Sequence, residues 1–383
     1  VKQGWTTEPL GSLCDILDNQ RKPITKKDRI PGEFPYFGAT GILDFVEGYI
    51  FDEPLVLVGE DGAKWFSGEN TAFAVEGKCW VNNHAHVLRP HRTSLTDNWL
   101  IHFLVHSDLS EYVSGLTVPK LNQGSLREIP VPIAPLAEQH RIVAILDEAF
   151  DGIATAKATA EKNLKNARAL FESHLQSVFS QRGEGWKRVR IEDACESIID
   201  CVNKTASKVD GPTPFKMIRT TNIRNGVVNL DSVNYVTEEV YKIWTRRQIP
   251  QRGDVILTRE APMGEVGMLL SDDKVFLGQR LVSYRANPAK LNNRFLLYAF
   301  QSGNLQSQIH SLASGSTVQH MRVPDSKNLQ LPLPGLVEQE RAVYTFDSLR
   351  EETQRLQSIY QQKLAALDEL KKSLLHQAFS GQL

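Results

Sequence analysis

Two stretches of the chain carry apolar residues at helical spacing over an unusual length. The first stripe runs Ile142, Ile145, Leu146, Ala149, Ile153, Ala156, Ala160, Leu164, Ala167, Leu170, Leu175 and Val178. The second runs Val343, Phe346, Leu349, Leu356, Tyr360, Leu364, Leu367, Leu370, Leu374 and Ala378. Steps of three, four and seven place each set on one helix face with a coiled-coil-like seam. Upstream, Pro130, Pro132 and Pro135, and then Pro332 and Pro334, bar helix before Leu136 and Leu336. Glu138 and Glu338 fall in the first turn, where the helix dipole favours an anion. Gly183 and Gly381 stand where C-cap glycines belong. The pattern predicts two helices of about 45 residues, each about 65 Å long.

The remaining sequence reads as α+β. Pro54–Val58, Thr71–Val75 and Ala85–Leu88 are strand-like runs bounded by Gly, Asn and Pro, and Asp254–Thr258, Val266–Leu270 and Leu281–Tyr284 answer them later. Trp99 to Tyr112 predicts a helix, matched by Phe295 to His310. A single helix after several short strands does not follow the alternation of a doubly wound sheet.

These correspondences are a duplication. Leu136-Ala-Glu138-Gln139-His-Arg141 returns as Leu336-Val-Glu338-Gln339-Glu-Arg341, 200 residues later. The register then holds without a gap to Phe179-Ser180 against Phe379-Ser380. Twelve of the 45 positions in this block are identical, against about one in seventeen by chance. Ser114-Gly115-Leu-Thr117-Val118 likewise matches Ser314-Gly315-Ser-Thr317-Val318. Further upstream the offset falls to 181, where Gly4-Trp5 and Cys14 align with Gly185-Trp186 and Cys195. The second copy therefore holds about 19 extra residues in its globular part. We divide the chain into globular regions 1–132 and 182–332 and helical segments 133–181 and 333–383. Two apolar stripes in one duplicated chain predict a pseudo-two-fold, antiparallel helix pair.

Charge changes this picture by region. The 383-residue chain has a net charge of −1. Residues 1–132 carry 12 Lys/Arg against 17 Asp/Glu, whereas 182–332 carry 21 against 15. Such asymmetry suggests that one part meets a polyanion. No apolar run reaches the ~18–20 residues of a membrane span, and Val1–Trp5 shows no signal-type segment. Cys14, Cys79, Cys195 and Cys201 lack CxxC spacing. Buried thiols in a reducing cytoplasm are the expectation.

A search for catalytic motifs returns little. No GxxxxGK[ST] or post-strand GxGxxG occurs, and Asn287-Pro288-Ala289-Lys290 lacks the second Pro and aromatic ring of an amino-methyltransferase loop. Asp61 with Glu76-Gly-Lys78 faintly mimics a nuclease metal site but is not repeated in the second copy. His84 and His86 would share one strand face, yet no third metal ligand is identifiable. No metal site is expected. Candidate DNA-binding groups are Arg21, Lys22, Lys26 and Lys27, with Arg29 beside them, then Lys64, Lys120 and Gln123 in the first region. In the second they are Lys204, Arg219, Arg224, Arg259, Arg280, Gln319, His320 and Arg322. Cations suit phosphates, and Arg or Gln suits base edges.

Taken together, a Trp near the start, a variable region, Pro135-Leu136-Ala-Glu138-Gln139-His-Arg141 and a long helix ending in Phe-Ser, all repeated, resemble the specificity subunit of type I restriction-modification enzymes. The second signature has Gly335 in place of Pro. The resemblance spans essentially the whole chain. It implies a non-catalytic subunit with two target recognition domains reading a bipartite, asymmetric DNA site, and paired helices that set the spacer. It also implies docking of two modification subunits and of restriction (translocase) subunits. S-adenosylmethionine, ATP and Mg would belong to those partners and no cofactor to this chain. Glu138, Gln139, Arg141, Glu338, Gln339 and Arg341 become candidates for the docking frame. Two heads on helices of this length would sit on the order of one to two duplex turns of ~34 Å apart. A coiled-coil scaffold with two protein- or ligand-binding heads remains the alternative, with a standalone metal-dependent nuclease as a third class.

Overall fold

Both long helices form, as Leu136–Ser180 and Leu336–Ser380, each of 45 residues. They belong to a computed structural model that describes residues 2–115, 117–180, 185–313 and 319–383. The cap expected at Gly183 and the repeat Ser314–Val318 lie outside the described residues. Gly381 has φ +78°, as a helix-ending glycine should. The chain forms two compact units, residues 1–162 with 361–383, and residues 163–360. This division cuts through both helices, so each unit holds the start of one and the end of the other.

In the first unit the start of the first helix runs against the end of the second. Lys157 Nζ binds Asp368 at 2.7 Å, and Lys371 Nζ lies 5.1 Å from the Phe150 ring centroid. Ile142, Val143 and Leu146 share a core with Leu375 and Ala378. In the second unit the end of the first helix meets the start of the second. The Arg350 guanidinium lies 5.0 Å over Phe171, and Phe179 stacks on Phe346. The pairing is antiparallel in both units. The seam differs from the sequence reading at three places, since Ile145, Leu170 and Leu370 are exposed. The buried path steps from Ala167 to Phe171, four residues on, and bypasses Leu170. One residue is ~100° of rotation on a helix, enough to leave the seam.

The globular part of the first unit holds two four-stranded sheets. One orders Cys14–Ile16, Ala85–Pro90, Leu55–Gly59 and Ala72–Val75, all antiparallel. Its central strand is buried throughout because both faces are covered. Val56 and Val58 point into the core beneath helix Asp97–His106, while Leu55 and Leu57 point to the second sheet. That alternation follows from the period of two. The second unit repeats the plan around Val255–Thr258, central in a six-stranded sheet beside Leu281–Ala286. Val255 and Leu257 face the helical side and Ile256 the other. Two helices are shorter than the sequence suggested. The first stops at His106, and the stretch from 295 to 310 is broken at Ser302 into Asn293–Gln301 and Gly303–Ser311.

A strand pair closes each globular part, Thr6–Pro9 with Pro130–Ile133 and Lys187–Arg190 with Gln330–Leu333. Just beyond lies the repeated signature, and its glutamine is fully buried in both copies. Gln139 Nε2 donates to the carbonyls of Ser94 and Ala134 at 2.8 Å, and its Oε1 accepts from Thr96 N at 2.9 Å. Gln339 repeats this with Lys290 and Pro334 at 2.9 Å and Asn292 N at 2.8 Å. Thr96 and Asn292 are the N-cap residues of the helices that pack on the sheets. Each glutamine thus ties the start of a long helix to the start of its head's helix. Gln139→Ala or Gln339→Ala strands one buried and two partly buried backbone groups and should cost about 2 kcal/mol, measured by urea unfolding. The same change at exposed Glu340 should cost under about 0.5 kcal/mol.

Candidate nucleic-acid interface

The two heads share a backbone junction where three segments meet at the end of the central strand. In the first head, Glu60 follows Leu55–Gly59. Its N–H donates to His84 O and its carbonyl accepts from Leu121 N. Asp61 forms a β-bridge with Lys120. In the second, Arg259 follows Val255–Thr258, donates to Arg280 O at 2.8 Å and accepts from Met321 N at 3.0 Å. Glu260 forms the bridge with His320. The main-chain pattern is preserved while the side chains have diverged.

In the first head this junction is knitted by charge. Arg21 bonds to Glu60 and to Ala85 O, and lies 3.4 Å from Asp18. Lys120 Nζ is 2.8 Å from Glu60. His86, wholly buried, places Nδ1 2.7 Å from Asp18 and Nε2 2.7 Å from Leu121 O. Gln123 Nε2 donates to Asp18 at 3.0 Å. Burial alone raises the Asp18 carboxyl, but His86, Val87 N–H and Gln123 outweigh it and hold it below the ordinary range. Glu60 is likewise lowered, with Lys120 and Arg21 overcoming burial. Asp18, Glu60 and His86 offer ligand atoms within 4.8 Å of one another. With Arg21 and Lys120 already seated on those carboxylates, the set does not suit a further cation.

The expected nucleic-acid groups therefore fall into two classes. Arg21, Lys120 and Gln123 are committed inside the head. Lys22, Lys26 and Lys27 are exposed, Arg29 lies 4.4 Å over Tyr36 and bonds to Asp44, and exposed Lys64 sits 3.5 Å from Glu69. In the second head Lys204, Arg224 and Gln319 are exposed. Arg219 is half-buried and reaches Ser232 O at 3.3 Å. Arg259 donates to Met321 O at 2.9 Å, and its buried Nε lacks a hydrogen-bond partner. Arg280 is paired with Glu260 at 2.5 Å, and Arg322 with Asp325 at 2.8 Å. His320, partly buried, joins this junction through its bridge to Glu260.

Other expectations need correction. His84 lies in the turn before Ala85–Pro90, so it does not share a strand face with His86 and instead bonds to Asp61. With Asp61 held there and Lys78 over the rings of Phe34 and Tyr49, the nuclease-like triplet is not assembled. Gln139 and Gln339 leave the docking set because they are buried. Glu138 takes hydrogen bonds from Trp5 Nε1 and Lys2, and Glu338 one from Trp186 Nε1. Arg141 donates to Leu383 O at 2.9 Å, while Arg341 is exposed. Cys14, Cys79 and Cys201 are buried and Cys195 partly so. Burial pushes the Cys14 and Cys195 thiols up to about 12 and Cys79 to about 11. Sequence reasoning missed Glu60, Asp18 and the pairs Asp61–His84 and Glu260–Arg280. The 200-residue register reaches Lys120 and His320, but the offset is 199 between Glu60 and Arg259 and 196 between His84 and Arg280, so the repeat alone did not align the junction.

Residues 2–166 and 183–362 match the family model for the type I restriction modification DNA specificity domain. The chain belongs to this family. A putative type I restriction enzyme specificity subunit of Haemophilus influenzae is 27% identical over 350 residues, covering 89% of this chain and 86% of that protein. The EcoKI specificity subunit of Escherichia coli is 22% identical over 353 residues, 87% and 75% of the two chains. Among solved structures, the HsdS subunit from Thermoanaerobacter tengcongensis aligns with a TM-score of 0.62 at 20% identity, covering 100% of this chain and 98% of that one. A chain from work on the assembly and conformational transition of the type I restriction-modification system gives 0.74 at 20% identity, with 100% and 99% coverage. Both share this fold of two β-rich domains and two packed long helices. The protein is the non-catalytic DNA specificity subunit of a type I restriction-modification enzyme. No helix among the described residues is long and apolar enough to cross a membrane.

The charged junction of the first head carries a pH signature. Asp18 and Glu60 have depressed carboxyls when folded, so their stabilisation is full above the unfolded values, ~4, and is lost as pH falls through the folded ones. Urea midpoints should therefore drop between about pH 5 and pH 2. Asp18→Asn should lower the neutral-pH midpoint and flatten that acid limb.

Proposed function

We propose that regions 1–132 and 182–332 each read one half of a bipartite, asymmetric site in double-stranded DNA, and that segments 133–181 and 333–383 fix the spacer between the halves. On this reading the helices dock two modification subunits carrying S-adenosylmethionine, and restriction subunits add ATP- and Mg-dependent translocation and cleavage in the cytoplasm. The supporting observation is the contrast within the duplication. The helix register and glutamine clamps are kept, whereas the heads differ in length, charge and junction side chains. Dissimilar heads cannot read the two halves of a palindrome.

The docking surface follows from the same contrast. Most identical positions of the repeated block have an internal task. Gln139 and Gln339 clamp, Val143 and Val343 are buried, and Asp147 binds His102 as Asp347 binds Arg294 and Tyr298. Leu170 and Leu370 are identical too, yet they remain 49% and 47% exposed. An apolar side chain kept at equivalent exposed places suits a partner present in two copies, and Arg341 supplies an exposed charge on the same helix system.

Two outcomes test this reading. Exchanging residues 182–332 for those of a relative with another recognition sequence should change one half-site in the methylome and leave the other. A change in both halves, or in neither, would falsify the independent-reader assignment. Leu170→Asp with Leu370→Asp should leave the melting temperature of the free chain within about 2 °C and weaken co-purification of the modification subunits at least tenfold. Unaltered co-purification would remove these leucines from the docking surface.

A further inference from the structure

Resting on the reading above, we propose that one residue in each head touches a base edge: Arg280, which reads a guanine, in the second, and His84 in the first. Each is a base-reading residue held in position by the acid beside it, Glu260 or Asp61.

The placement is the same in both heads. His84 and Arg280 are the last residues before the strands Ala85–Pro90 and Leu281–Ala286. The carbonyl of each accepts from the residue that follows the central strand, Glu60 or Arg259. Each side chain then pairs with the next residue on that segment, His84 with Asp61 and Arg280 with Glu260, both at 2.5 Å. The acid–base pairing is retained although all four residue types differ. Plain solubilising charge has no reason to preserve it through such divergence. The bases stay about half exposed, at 50% and 48% of their side chains, while the acids are largely covered, at 21% and 19%. A covered carboxylate under an exposed donor is an orienting arrangement, since it fixes the donor's plane and leaves its far edge in solvent.

Backbone strain singles out Arg280. Its φ is +70°, in the left-handed region that suits Gly or Asn. Its N–H is pinned on Cys201 Sγ at 3.2 Å and its carbonyl on Arg259, so the turn is held from both sides. Nothing in the turn itself calls for arginine. A long side chain in a conformation that disfavours it points to a task for the side chain. The planar fork of a guanidinium matches guanine O6 and N7, the pairing most used for specific contacts in the major groove. Neighbouring arginines fit less well. Arg259 is half-buried and spends a donor on Met321 O, while Arg322, at the N-cap of the helix Val323–Lys327, commits both Nε and Nη2 to Asp325, whereas Arg280 meets Glu260 through Nη1.

The test uses the full chain reconstituted with its modification subunits and reads methylation and binding on a randomised site library. Arg280→Asn suits the left-handed turn, so the variant should melt at or above the parent temperature. It should lose roughly 10- to 100-fold discrimination at one guanine of one half-site. Arg280→Lys keeps the charge without the fork and should not restore discrimination. His84→Ala should relax one position in the other half-site only. A uniform loss over all sequences would make Arg280 a phosphate contact and overturn the assignment. So would an unchanged preference, or a lower melting temperature for Arg280→Asn. The head exchange separates the two levels. If it moves a half-site while Arg280→Asn does not, the base-reading residue is wrong and the family-level reading stands.

Discussion

Each globular head is closed by the last turn of the helix that belongs to the other copy. Phe379 packs edge-on against Trp99 and Phe103 in the first unit. Phe179 packs against Phe295, Trp186 and Phe346 in the second. Meanwhile Gln139 and Gln339 anchor each helix start to its own head. Within each unit the start of one long helix runs against the end of the other, so seam contacts such as Phe179 on Phe346 depend on register. One inserted residue between a seam contact and the closing phenylalanine would advance that ring by ~1.5 Å and turn it by ~100°, out of its socket. This accounts for a constant 200-residue register along the helices beside heads that differ by about 19 residues. Loops can absorb insertions because loop length is thermodynamically inexpensive. The pinned helix cannot.

That constraint also explains the repeated signature as local chemistry. In Leu-x-Glu-Gln-x-Arg, the glutamate receives the indole N–H of the Trp near the start of each copy, through Trp5 and Trp186. The glutamine, one position on, turns inward to three backbone groups. Adjacent helix positions are ~100° apart, so one residue can face the N-terminal segment while the next enters the head. The signature is therefore an internal fastening.

Much of this was legible in the sequence, and the failures share a cause. The helices, their antiparallel pairing and the central strands followed from periodicity and duplication, which are local or regular signals. The seam went astray at Ile145, Leu170 and Leu370 because three- and four-residue steps are interchangeable until a partner chooses between them. Helix Asn293–Gln301 ends where Ser302 Oγ turns back to Ala299 O and Gly303 follows, a break that helical spacing from Phe295 to Leu305 and Ile309 runs straight across. Among the candidate contacts, Arg21 looked like one more cation in a basic cluster. Its partner Glu60 lies 39 residues away, and no spacing rule links them. Charge is visible in a sequence; whether it is already neutralised is a tertiary fact.

The same point alters what regional charge says about the two heads. Part of the first head's charge is neutralised internally, since Asp18 and Glu60 are buried against Arg21, Lys120 and His86. Removing those residues takes away two cations and two anions, so the deficit of five stays while the number of cations free to meet a polyanion falls. What remains for a polyanion is the exposed set Lys22, Lys26, Lys27 and Lys64, together with neutral donors. In the second head the residue equivalent to Glu60 is Arg259, and no buried acid stands in its place, so positive charge reaches the junction itself. Counterion release scales with the number of phosphates neutralised. On the proposed reading, the second head therefore supplies more of the sequence-independent grip, and the first relies more on geometry and on its partner subunits. Two copies of one fold can thus divide affinity unevenly while each contributes its own half of the specificity.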